Sequence, residues 1–262
     1  SFIVREEFRA TALSLAVWFS VFGSVFGPRL VGQYSSTFKN IFGSELIVAY
    51  FIATIGFLLA GFCVIGLTDK TSLLRLPVVT ENTSSKTKLD KKASQLTVLL
   101  VVNHFVMVII MAATPLHVQD IGEPIQVVGT IISYHTLGMF VFSPILGRFV
   151  DKVGSKKVSI TGGFILLISC VCALNTSDIV ILHLSLFLLG LGWNFNFVSI
   201  SSEISKYSIE KNTNLNIKSD SFVFVGSVFA QSSLGLTYTL IGFEGLVTVS
   251  YTHLRAHETL TD

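Results

Sequence analysis

The chain has 262 residues, 51% hydrophobic and 13% charged, with a mean hydropathy of +0.71, where an ordinary soluble domain carries roughly a quarter charged residues. That composition excludes a typical water-soluble globule. The formal net charge of +2 points to no nucleic-acid partner, because the basic residues follow a different pattern.

Seven windows, residues 10–28, 46–68, 93–119, 124–147, 158–177, 179–202 and 221–243, contain no Asp, Glu, Lys or Arg. A hydrocarbon core about 30 Å thick takes roughly 20 apolar residues of helix at 1.5 Å rise each. None of the windows alternates as a strand does, and all exceed the roughly 10 residues of an outer-membrane barrel strand. The expected fold class is all-α, a polytopic membrane bundle of seven transmembrane helices. Of the 18 basic residues, 15 precede the first span or follow the second, fourth and sixth. The positive-inside tendency puts those segments, and the N-terminal residues, in the cytoplasm.

The first span carries Gly23, Gly27, Pro28 and Gly32 as GxxxGPxxG. Small residues four apart clear one helix face for a second backbone, and Pro28 removes an amide donor and bends the helix. The second span is apolar all round and reads as lipid-facing. Residues 69–95 are polar, with a lysine cluster, and read as a cytoplasmic linker.

In hydrocarbon a polar side chain is costly unless paired, so polar stripes should face the bundle or a wet cavity. The third span offers Asn103 and His104. The fourth aligns Thr130, Tyr134 and Gly138, with His135 beside them. The sixth carries Trp193, Asn194 and Asn196, and the seventh Gln231. These residues line the expected substrate cavity, with Trp193 and Tyr134 as stacking faces, while Asn103, Asn194, Asn196 and Gln231 fit hydrogen bonding between helices equally well. His104 and His135 are the titratable groups well inside the spans and the candidates for proton coupling. His117 and Asp120 read as a solvated pair near the outer mouth, and Glu203 and Asp220 as interfacial carboxylates. The fifth span is nearly apolar and reads as lipid-facing. Its Cys170 and Cys172, like Cys63, sit in apolar helix as small hydrophobes.

After the fourth span, GRFVDKVGSKKV places Gly147, Asp151, Lys152, Gly154, Lys156 and Lys157 in a tight cytoplasmic turn. The glycines permit close approach or unusual dihedrals, and Asp151 can accept hydrogen bonds from free amides at a helix start. This turn resembles the GxxxD(R/K)xGx(R/K)(R/K) signature of the major facilitator superfamily, with Ser155 where an Arg is usual. The first-span motif is similar to that of the superfamily's drug/proton antiporter branch, with Ser14 at the position of a further Gly. Ala113–Gly122 (ATPLHVQDIG) and Leu189–Phe197 (LGLGWNFNF) look like a bacterial facilitator subgroup.

The resemblance implies helices five to eleven of a twelve-helix transporter, partnered by the remaining helices. Residues 1–68 are then the last two helices of the N-terminal half and 96–248 a C-terminal half without its final helix. Residues 249–262 are set apart, because Val249–Thr259 (VSYTHLRAHET) is similar to a translated sequencing adapter. The implied function is secondary active transport of a small organic solute by alternating access, as proton-coupled efflux across a bacterial inner membrane.

A seven-helix receptor or sensor is the alternative. Such proteins begin outside the cell, and a retinal sensor needs a lysine in its last helix, which 221–243 lacks. No paired carboxylates, metal-ligand spacing or nucleophile with a nearby base suggests an enzyme, so no catalytic residue, metal or cofactor is expected. The expected partners are a lipid bilayer, a small-molecule substrate and protons.

Overall fold

The computed structural model describes residues 8–44, 47–71, 90–174, 178–211 and 213–258. Residues 72–89 of the expected linker lie outside them. Among the described residues the regular elements are helices: α1 (Arg9–Trp18), α2 (Ser20–Phe42), α3 (Ile47–Thr71), α4 (Lys91–Asp120), α5 (Ile125–Phe140), α6 (Ser143–Val153), α7 (Ser155–Ala173), α8 (Ile179–Glu210) and α9 (Leu215–Glu258). They group into two units, residues 22–86 in one and residues 1–21 with 87–262 in the other.

In the first unit α2 and α3 meet through Phe38 and Phe51, whose ring centroids lie 5.4 Å apart. The first span differs from its expected form. Only Phe19, itself in helical dihedrals, separates α1 from α2, and α2 then runs through position 28 to Phe42, taking the backbone of Arg29 and Lys39 with it. Charge does not end a helix; a residue that leaves helical dihedrals does, and here that is Gly43 with φ +76°.

The second unit is built around α8. Five helical stretches in it, 91–120, 127–153, 155–173, 179–210 and 215–255, are long and apolar enough to cross a membrane. A Cβ on Gly190 would strike the His135 carbonyl and Met139 backbone of α5, and one on Gly138 would strike Phe187 and Leu191 of α8. The two glycines therefore let the α5 and α8 backbones cross in contact. On the other side of α8, Gly192 faces Gly162 and Leu166 of α7 in the same manner. Around these crossings Val106, Ile110, Ile131, Leu166, Leu186 and Leu189 are fully buried or nearly so in one core.

The bundle carries large apolar side chains on its exposed faces. Phe164, Ile168 and Val171 form an exposed stripe on α7, and Phe222, Val225, Phe229, Leu236 and Leu240 one on α9. Stripes of that length in contact with water would be a large free-energy cost, and lipid is the solvent that removes it.

The α9 helix changes direction at Gly242, whose φ of 67° and ψ of −176° are not helical. Beyond it Phe243, Leu246, Val247 and Leu254 are buried in the core that Leu166 and Cys170 of α7 share. A straight continuation would carry Leu254 about 18 Å past the kink at 1.5 Å per residue, away from the end of α4 that Tyr238 and Phe243 meet. Its burial means that the helix folds back along the bundle.

Replacing Gly190 by Val should overpack the α5–α8 crossing and lower stability by about 1–3 kcal/mol. Gly226→Ala, whose Cβ would meet only Val101 Cγ1 at 3.4 Å, should be nearly neutral. Thermal unfolding of the two variants in detergent checks the difference.

Candidate functional site

The signature turn is mostly helix. Gly147, Asp151 and Lys152 lie on α6, and the chain turns at Gly154 alone, with φ 96° and ψ 147°. The two glycines therefore do different work. A Cβ on Gly147 would collide with Ser14 Oγ and the Ala10 backbone of α1, so its role is close approach, whereas Gly154 supplies the left-handed backbone.

Asp151 caps a helix 140 residues upstream. Its carboxylate accepts the backbone N–H of Ala10 at 3.2 Å and of Thr11 at 3.0 Å, and the Thr11 hydroxyl at 2.6 Å. Phe8 at the N-cap of α1 makes no side-chain cap, so the aspartate from α6 satisfies amides that would otherwise be orphaned and sits at the positive end of the α1 dipole. Ser14 is fully buried beneath this contact, so Ser14 of α1 and Gly147 of the signature meet directly.

The expected cavity residues divide on burial. Asn103 donates to the Trp193 carbonyl at 3.3 Å, Asn196 donates to Asn103 at 3.1 Å, and Ser159 of α7 donates to Asn196 at 3.0 Å. One chain of hydrogen bonds thus ties α4, α8 and α7 together. Asn194 exchanges hydrogen bonds with Ser143 of α6. All three asparagines are buried, at 0–7% exposure, and join helices; each such bond contributes about 0.6 kcal/mol in lipid, rarely above 1.7.

Trp193 is also buried. Its Nε1 donates to His104 Nδ1 at 3.2 Å and its ring stacks on Phe197 at 4.7 Å. His104 is only partly buried and keeps its second nitrogen outside that bond. His135 is completely enclosed at the α5–α8 crossing, with Nδ1 2.9 Å from the Leu186 carbonyl. Tyr134 is half-exposed and meets His183 edge-on, while His183 Nε2 lies 2.9 Å from Thr130 Oγ1. Gln231 is exposed on α9. Of the first-span motif, Gly23 and Gly27 have no atom within 4 Å of a built Cβ.

α4 continues to Asp120, so neither His117 nor Asp120 lies in a loop; His117 departs from its expected solvated place, whereas Asp120 stays exposed. His117 is buried and stacks on Phe243 at 4.3 Å, and Tyr238 donates to Asp120 at 2.5 Å. At the opposite end of the bundle Lys92 pairs with Glu203 at 2.8 Å, and both line a groove with Lys156. The start of α4, the α6–α7 turn and the end of α8 therefore share one basic end.

Ser159 and His183 are partners that sequence reasoning did not single out, and Ser143 was not among the expected site residues. A lone serine in an apolar helix carries no mark of which neighbour it will meet.

The family model described as Major Facilitator Superfamily matches residues 1–214 and, in a second match, 96–250. Relatives include the uncharacterized MFS-type transporters YdeG and YddS of Bacillus subtilis (strain 168). YdeG is 30% identical over 214 residues, covering 75% of this chain and 49% of YdeG. YddS is 28% identical over 211 residues, covering 75% of this chain and 48% of YddS. The riboflavin transporter RfnT of Brucella anthropi is 24% identical over 132 residues, covering 50% of this chain and 33% of RfnT. The chain spans about half the length of the two Bacillus relatives.

Asp151→Ala should free the first amides of α1. Loss of a charged cap costs about 1–2 kcal/mol, so amide exchange across residues 9–15 should accelerate roughly tenfold, read by hydrogen-exchange mass spectrometry, while α8 keeps its protection.

Proposed function

Because this chain belongs to the major facilitator superfamily, we propose that it serves a secondary active transporter, moving a small organic solute across a membrane by alternating access, with outward transport coupled to protons. The observation that carries the reading is the α1–α6 contact. It is made of one carboxylate, two amides, a hydroxyl and a glycine-cleared face. Such a contact can separate and re-form without repacking large side chains, as rocking between two states requires. Gly23 and Gly27 leave a second cleared face, which would receive another helix of the transporter.

His104 is the better coupling candidate of the two histidines. Its Nδ1 accepts from Trp193, so in the neutral ring the proton is on Nε2. A second proton turns both nitrogens into donors and breaks the Trp193 bond, transmitting protonation to the Trp193–Phe197 stack. His135 is enclosed and its Nδ1 faces a backbone carbonyl, which supports a packing role. The basic end of the bundle would face the cytoplasm of a bacterial inner membrane.

Flux in proteoliposomes under an imposed pH gradient tests the proposal. Riboflavin, which the Brucella relative's name says it transports, is one probe. Gradient-driven flux should fall more than tenfold in His104→Gln, while solute exchange without a gradient persists. Flux indifferent to the gradient would remove the antiport reading.

A further inference from the structure

We propose that a cleft at the basic end of the bundle, enclosed by α1, α4, α8 and α9, binds a small organic cation with Asp220 as its counter-charge. The cleft holds about 380 Å³, within the lower part of the range of small-molecule sites. Leu100 and Phe197 form its apolar floor, and Phe197 is the residue stacked on Trp193. Ser201, Ser202 and Asn216 contribute neutral polar groups to the walls, and Asp220 is its charged lining residue.

The sign of that charge is unexpected. Lys206, Lys211 and Lys218 lie in the flanking segments, yet among the described residues no lysine or arginine lines the cleft. Lys218 and Asp220 are two residues apart on α9 and so do not share a helix face. Among the described residues Asp220 has no ion pair. Asp220 is exposed on the wall of a partly apolar cleft, so its carboxylate is open to a cation that enters. An ammonium group can donate to Asp220 through charge-assisted hydrogen bonds while an apolar body rests on Leu100 and Phe197. Ala12 and Leu13 of α1 close one side, so the wall of the cleft is the helix that Asp151 caps.

The inference takes from the transporter reading only the sense in which such a site would be used. Binding is measured by equilibrium dialysis on the full-length polypeptide in lipid nanodiscs, with tryptamine and tryptophol as probes; they share an indole ethyl body and differ in ammonium against hydroxyl. Tryptamine should bind at least tenfold more tightly. Asp220→Asn, nearly isosteric, should abolish that preference without changing tryptophol binding, and Asp220→Glu should retain it. Equal affinity for the two probes, no saturable tryptamine binding, or a preference that survives Asp220→Asn would overturn the site. Gradient-independent flux would leave an Asp220-dependent binding difference standing, and a lost difference would leave gradient-driven flux standing, so the two readings fail separately.

Discussion

Hydrocarbon offers no hydrogen bonds, and that constraint shapes this bundle at every scale. Backbone amides and carbonyls are satisfied by helix, so the described regular elements are helices. Polar side chains must then find each other across helices. Asn103, Asn196 and Ser159 do so as a chain, and Asn194 and Ser143 as a reciprocal pair. Apolar burial cannot choose between helix partners when the solvent is equally apolar, so close backbone approach and a few polar contacts select them. This is why α8, with Gly190 on one side and Gly192 on the other, is the centre of the unit.

The ends of the bundle follow different rules, because charge is affordable there. At the basic end Asp151 completes a helix from far earlier in the chain, Lys92 pairs with Glu203, and Asp220 stands in a cleft with no basic neighbour among the described lining residues. At the other end Tyr238 and Asp120 join α9 to α4 just before the chain reverses at Gly242. The middle of the bundle is held by neutral groups, with His104 its partly exposed titratable member.

Burial separates the residues that looked alike in sequence. Asn103, Asn194 and Asn196 share with Gln231 the appearance of cavity polars, yet the asparagines are enclosed between helices and Gln231 is exposed. His104 and His135 are equally placed within their spans. One is enclosed at a glycine crossing and the other reaches Trp193 at a partly open face. Helical periodicity assigns a residue to a face, but which helix covers that face depends on residues tens of positions away.

From the sequence alone came the membrane as solvent, the helical class, the basic end and the family resemblance, because each rests on local composition or short spacing. The capping role of Asp151 was legible as a possibility; the helix it caps was not, since α1 lies 140 residues upstream. Tertiary structure alone decided that Gly147 serves approach and Gly154 serves the turn, and that Arg29 and Lys39 ride on a helix. It also decided that His117 is buried, and that Asp220 faces a cleft. Those outcomes depend on which surfaces meet, and contact between distant segments leaves no trace in the spacing of either one.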